Sequence, residues 1–307
     1  MLTLNFFSPP IFAQSMTCIF NFVVQLLGIR LIFDSKKFKK GSFFLLLLTL
    51  SISVAFRIIV AFISNVVATS FYFMTDNYYF ATNIILHLDY SSNYFSTILI
   101  FLMSLNRCLC FVKKPWNDLI FEGYSLWITV FVSGGFSILT AVVTIQSSGI
   151  KRLYNDSLGF MDLGLRKSGL RRIIMRIYHL FPIGSTVCYI VLFFFLRQKK
   201  REILMKNGNR TSDKGEQKVF IQLLITVIFY GAMSLISELL ELDIWRIDYQ
   251  LDFIAYLNIF NYLPELSLPL LLVCSDWNQR RRVFMAASRT RSQILVKQGS
   301  IGSNRVV

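Results

Sequence analysis

The chain has 307 residues, of which 54% are hydrophobic and only 16% are charged, against roughly 25% charged residues in a typical soluble domain. Phenylalanine alone occurs 30 times, and the mean hydropathy is +0.55. This composition excludes a soluble enzyme, a nucleic-acid-binding protein and a disordered protein, because a soluble fold of this size would have too little polar surface. The apolar runs are long and continuous, which is typical of membrane helices and not of an outer-membrane barrel.

Seven apolar stretches are long enough to cross a bilayer as helices, which takes about 20 residues each. A cleaved signal peptide is disfavoured for the first stretch, because residues 1–29 lack the basic start of such a peptide. The second stretch contains Arg57, but its fifteen Leu, Ile, Phe and Val residues outweigh the cost of one charge. We therefore predict an all-α fold, with a seven-transmembrane helix bundle over residues 1–274 and a flexible basic tail at 275–307. The predicted spans cover about residues 12–33, 42–64, 88–108, 124–145, 173–196, 219–240 and 253–274.

Basic residues lie mostly in the loops on one side of the predicted bundle. If the N-terminus is outside, the cytoplasmic segments hold 22 Lys and Arg residues and the outer segments hold 7. Because cytoplasmic loops are enriched in Lys and Arg, this predicts an N-terminus outside and a C-terminus in the cytoplasm. The net charge of +15 then favours the anionic surface of a lipid bilayer and not nucleic acid as a partner. The second outer loop is the exception, because it holds six basic residues. Arg171 and Arg172 are candidates for helix-end anchors, and the other four either face the ligand side or are solvated: Lys151, Arg152, Arg166 and Lys167.

Cysteine and histidine positions argue against disulfides and metal sites. None of the five cysteines falls in a predicted outer segment, so no outer disulfide is expected. The two histidines, His87 and His179, are far apart, and no Cys/His spacing resembles a metal site. No nucleophile–base pair or phosphate-binding loop favours an enzyme. The sequence therefore predicts no cofactor and no bound metal.

A short motif closes the third predicted span. It reads Ser104-Leu105-Asn106-Arg107, and Pro115-Trp116 follows in the next loop. This segment resembles the Ser-Leu-Asn-Arg motif and downstream proline of the nematode serpentine chemoreceptors, with the gamma class and its close relatives as the best match. Three further segments agree with the resemblance, which extends over nearly the whole chain: Ser42-Phe43, Leu158-Gly159 and the run from Pro269 to Arg282.

The resemblance implies a G-protein-coupled chemosensory receptor. Such a receptor binds a small-molecule cue from outside and signals through a heterotrimeric G protein, as a multi-pass protein of the plasma membrane in a sensory neuron or cilium. Arg107 would lock the inactive state and then contact the G protein, with Asn106 orienting it and Pro115 in the same coupling region. The alternative for Arg107 is a simple anchor on the cytoplasmic side, since basic residues accumulate there.

Ionisable residues inside predicted spans are candidates for ligand contact, because such groups are costly in a membrane and usually face the bundle interior. Arg57, Asp89, His179 and Glu265 are the predicted ligand-binding residues. One alternative is that Arg57 and Glu265 form a structural ion pair. Asn155 starts a glycosylation sequon on the predicted outer side, whereas the second sequon, at Asn209, lies inside and should stay unmodified.

Two other functions fit seven helices. A secondary transporter would use Arg57, Glu265 and the two prolines of the last span, Pro264 and Pro269, along a substrate path. A ligand-gated channel subunit of the insect odorant receptor type would have its N-terminus inside, against the distribution of basic residues. Substrate flux or current in a reconstituted bilayer would distinguish these from a receptor.

Overall fold

The computed structural model describes residues 9–34, 41–70, 75–155, 159–164, 169–207, 228, 231, 265–267 and 269–274. Within this part of the chain the helices are α1 (Pro9–Asp34), α2 (Ser42–Ser70), α3 (Thr75–Val112), α4 (Lys114–Phe121), α5 (Tyr124–Ser148) and α6 (Gly169–Asn207). A shorter apolar helix, α7, covers Glu265–Cys274. Two strands, β1 (Lys151–Asn155) and β2 (Gly159–Leu163), form a hairpin between α5 and α6.

Five helices are long and apolar enough to cross a membrane: Phe12–Asp34, Ser42–Ser64, Tyr79–Val112, Tyr124–Ser148 and Gly169–Lys199. They coincide with the first five predicted spans, so the chain is an integral membrane protein built from apolar helices. The sixth predicted span, 219–240, lies outside the described residues except for 228 and 231. The seventh predicted span, 253–274, is described only in α7.

Two of the spanning helices extend well beyond the stretches that hydropathy predicts. Helix α3 begins at Thr75, ahead of the predicted start at residue 88, so Asp89 lies about four turns inside the helix and not at its start. Polar side chains of this first part bond to carbonyls of their own helix, as Ser91 Oγ does to His87 at 2.6 Å. Hydropathy does not predict these polar turns, because a helix continues wherever its backbone N–H and C=O groups are hydrogen-bonded, whether or not its side chains are apolar.

Helix α6 continues into a segment that we predicted to be a loop. Residues 197–207 are rich in Lys, Arg, Glu, Leu and Met, which are strong helix formers in water as well as in a membrane. About one third of the way along, the helix contains Pro182, which has no N–H to bond the carbonyl one turn earlier. Two residues later a side chain at Gly184 would place its Cβ 2.8 Å from Cε2 of Phe101, so the glycine allows α6 to pack closely against α3.

Helix α3 is the central element of the described bundle. It packs against α2, α5 and α6, while α1 packs against α2. The core between these helices contains fully buried large side chains, among them Leu46, Leu50, Leu99, Met103 and Tyr189. The two ends of the bundle differ, since the hairpin connects helices at one end and α4 connects helices at the other. We call these the hairpin end and the α4 end.

The described bundle is all-helical, as predicted, and the hairpin is a short addition in the loop between α5 and α6. Helix α5 stops at Gly149, whose left-handed backbone (φ 57°) ends the helix and leads into β1. The strands are antiparallel, with Arg152 opposite Asp162 and Asn155 opposite Gly159. Opposite charges at directly facing positions stabilise a strand pair, so this polar loop forms strands although it has no apolar alternation.

Candidate functional site

A buried ion pair joins α2 to α7. The guanidinium of Arg57 pairs with the carboxylate of Glu265, and their side chains are 8% and 1% exposed. An unpaired charge at either position would be costly, because water is excluded from both. The ion pair that the sequence left as an alternative is therefore present, and two of the four predicted ligand-binding residues contact each other.

The Arg57–Glu265 pair is the most buried part of a series of connected ion pairs. Nε of Arg57 lies 3.8 Å from Oδ1 of Asp89 on α3, and Nη2 of Arg152 donates to Oδ2 of the same aspartate at 3.0 Å. Arg152 also holds Asp162 through two hydrogen bonds of 2.6 and 2.8 Å. These five residues, which we call the ion-pair chain, connect α7, α2 and α3 to the hairpin. The structure thus brings together Arg57, Asp89 and Glu265.

Arg152 has an unambiguous charge state. Burial by itself would lower the pKa of Arg152, but the hydrogen-bonded carboxylate of Asp162 and the nearby Asp89 outweigh burial and hold that pKa above its ordinary value. A raised arginine pKa means that the stabilisation is fully present below the pKa of arginine in the unfolded chain and is lost only as the pH rises through the still higher pKa of the folded protein. The guanidinium therefore stays charged over the whole physiological range.

Only part of the ion-pair chain could be predicted from the sequence. Arg152 was one of four basic loop residues expected either to face the ligand side or to be solvated, and the structure buries its side chain to 9% exposure. Asp162 was not singled out at all. The available signal was the spacing of Arg152 and Asp162 on either side of a short turn, which puts them opposite each other once strands are considered.

His179 lies elsewhere in the bundle. It is on α6, partly buried, and it is not a member of the ion-pair chain. Its neighbour Tyr178 belongs to an aromatic cluster between α3, α5 and α6, in which the rings of Tyr178 and Tyr94 are 4.2 Å apart. The other histidine, His87, bonds through Nδ1 to the carbonyl of Asn83 on its own helix.

Helix α1 contributes polar contacts that the sequence analysis missed. Nε2 of Gln25 donates to Oδ1 of Asn21 at 3.0 Å and to the backbone carbonyl of Glu265 at 3.2 Å. Asn21 and Gln25 are both fully buried, one turn apart on α1. Two amides at this spacing on a membrane helix are the signal that could have found them.

The motif at the α4 end connects four helices. Tyr189 on α6 donates to Ser104 Oγ at 2.9 Å. Nδ2 of Asn106 donates to Ser42 Oγ at 3.0 Å and to Asn117 Oδ1 at 2.9 Å, which ties α3 to the start of α2 and to α4. Asn106 was predicted to orient Arg107, but its amide nitrogen donates to these two other helices.

Arg107 lies against the start of α2. Its guanidinium carbon is 4.0 Å from the ring centroid of Phe43, a cation–π contact. Pro115 occupies the first turn of α4, where its missing N–H costs nothing, and its side chain is exposed. The three predicted coupling residues therefore lie at one end of the bundle, on α3 and α4.

Two further predictions concern modification and metals. Asn155 is the last residue of β1, at the tip of the hairpin. No disulfide bond forms in the described parts of the chain, which include Cys18, Cys108, Cys110, Cys188 and Cys274. In the described parts of the chain, no group of three or more His, Cys, Asp or Glu side chains is arranged to hold a metal ion.

The sequence matches a known protein family. The family described as serpentine type 7TM GPCR chemoreceptor Srv matches residues 14–264, which include most of α1, all of α2 to α6 and the predicted sixth span. No curated protein sequence matches the chain. The family match confirms the resemblance to the serpentine chemoreceptors, although it names Srv and does not confirm the gamma class.

Proposed function

Because this chain belongs to the serpentine 7TM GPCR chemoreceptor family Srv, we propose that it binds a small-molecule cue at the hairpin end and activates a heterotrimeric G protein at the α4 end. The observation that carries the proposal is the family match over residues 14–264. Five helices suited to crossing a membrane agree with it. We further propose seven spans, with α7 in the last, and residence in the plasma membrane of a sensory cell.

The ion-pair chain supports a ligand site at the hairpin end. A ligand shifts a receptor between states only by its difference in affinity for them. A polar cue that competes for Arg57, Asp89 or Glu265 would change contacts of three helices and the hairpin together. His179 stays a candidate for ligand contact from α6.

We predict that the hairpin end is extracellular. Asn155 would then carry an N-linked glycan, whereas Asn209 would not, since its segment would be cytoplasmic. After expression in animal cells, endoglycosidase treatment should increase the gel mobility of the wild type and of Asn209→Gln. It should leave Asn155→Gln unchanged. A glycan on Asn209 would reverse the proposed orientation.

Coupling at the α4 end is tested through Arg107. Cells carrying a cyclic-nucleotide or calcium reporter would be exposed to fractionated environmental and conspecific extracts, and an active fraction would be chosen with the wild type. Arg107→Ala should lower the maximal response at least about tenfold at equal surface expression, if the guanidinium supplies about 1.4 kcal/mol or more of the interaction with the G protein. Lys113→Ala is the matched control, because Lys113 is an exposed cation at the same end.

The outcomes separate the candidate functions. An undiminished response in Arg107→Ala would contradict its role in coupling. Uptake of a compound into vesicles, with no effect of guanine nucleotides on its affinity, would favour the transporter, which could use the buried charges Arg57 and Glu265 along its path. Loss of the response in Arg107→Ala alone would support the receptor.

A further inference from the structure

Four buried polar residues meet between α1, α3 and α7. They are Asn21, Gln25, Ser96 and Glu265, and none is more than 1% exposed. Contacts already described join Gln25 to Asn21 and to Glu265. Ser96 on α3 lies beside the Glu265 carboxylate, but its hydroxyl does not reach hydrogen-bond geometry with it. We call this group the α1–α7 polar cluster.

Each member of the cluster has one polar atom without a hydrogen-bond partner among the described residues. These atoms are Nδ2 of Asn21, Oε1 of Gln25, Oγ of Ser96 and Oε1 of Glu265. The amide orientations are fixed, because Nε2 of Gln25 donates to two carbonyl oxygens and Oδ1 of Asn21 accepts one of those bonds. Oε2 of Glu265 is likewise fixed by its pair with Arg57. The four remaining atoms are therefore a defined set.

This set has the composition of a water site. Gln25 and Glu265 each offer an acceptor, Asn21 offers a donor, and the Ser96 hydroxyl can do either. A water molecule donates two hydrogen bonds and accepts two, and buried waters typically bond to about three such groups. We propose that the α1–α7 polar cluster binds one buried water molecule, which links α1 to α3 and to the Arg57–Glu265 pair.

The same set argues against a bound cation. A sodium or ammonium ion would find acceptors in Gln25 and Glu265, but neither ion can accept the hydrogen bond that Asn21 offers. The guanidinium of Arg57 already occupies the other oxygen of Glu265, and a second positive charge beside it would be repelled. The water site does not depend on the proposed ligand or G protein.

The direct test is a cryo-electron microscopy map of the full-length protein in lipid nanodiscs, at a resolution that shows ordered water. A density peak is expected at about 2.7–3.2 Å from Oε1 of both Gln25 and Glu265. In Ser96→Val the added methyl groups should displace the water and abolish the peak. Ser133→Val is the matched control, because Ser133 is a buried serine on α5 that bonds the Thr129 carbonyl at 2.7 Å.

A second measurement covers the case in which a variant does not fold. The midpoint of thermal denaturation of the wild type should stay the same when sodium chloride is replaced by choline chloride. A stabilisation that requires sodium would overturn the proposal in favour of a cation. A dry cluster in the wild-type map, or a peak that persists in Ser96→Val, would also overturn it.

Discussion

Arg57→Met is expected to destabilise the folded protein by about 3–5 kcal/mol, because it leaves the carboxylate of Glu265 buried without a counterion. Glu265 is 1% exposed, so bulk solvent cannot replace the lost guanidinium. Asp89 would lose one of its two arginines but keep Arg152. The measurement is the thermal midpoint of monodisperse protein in detergent, together with the amount that reaches the cell surface.

Two variants decide whether charge is the cause. Arg30→Met is the control, because Arg30 pairs with Asp34 on α1 at 3.6 Å with both side chains mostly exposed. Such a pair contributes only about 0–1 kcal/mol. In Arg57→Met/Glu265→Gln the uncompensated charge is gone, so at least half of the lost stability should return. If Arg57→Met were as stable as Arg30→Met, the buried pair would have no structural role.

Asn106→Ala is expected to destabilise the α4 end by about 2–4 kcal/mol. Two hydrogen bonds are lost, and the buried amide of Asn117 loses its donor. Thermal denaturation measures the loss, and the Arg107-dependent response should fall with it, because Asn106 holds α2 and α4 around the arginine. The effect on signalling should therefore exceed the loss in surface expression.

Asn93→Ala is the matched control, since Asn93 is an exposed asparagine on the same helix. It should change stability by less than about 0.5 kcal/mol. The double variant Asn106→Leu/Asn117→Leu should recover part of the stability, because replacing both hydrogen-bond partners leaves no buried amide unsatisfied. Equal stability of Asn106→Ala and Asn93→Ala would show that the two hydrogen bonds contribute nothing.

The membrane spans could be predicted because lipid imposes one local rule. Every backbone group must be satisfied within the helix and every outward side chain must be apolar, so the five described spans are visible in the sequence. The ends of α3 and α6 could not be predicted this way. Outside the lipid the rule no longer applies, and helix propensity and side-chain bonds decide where each helix ends.

Some residues of the candidate sites could be predicted from the sequence, but most of their contacts could not. Charge inside a span pointed to Arg57 and Glu265, since such residues need a partner. The partners of Asn106 could not be inferred, because Ser42 is 64 residues away in sequence and nothing local encodes that contact. The hairpin and Asp162 were missed for a similar reason, since strand pairing depends on register and not on hydropathy.

Pro182 divides α6 into a shorter part and a longer part. The proline interrupts the backbone hydrogen bonds about 13 residues from the start of the helix, and about 25 residues follow before it ends at Asn207. At 1.5 Å per residue the longer part measures about 38 Å. A change of about 10° in the angle between the two parts would therefore move its far end by about 6–7 Å. The same change in angle moves Gly184, two residues after the proline, very little against Phe101. It moves the charged end of α6, beyond Lys199, by several ångströms.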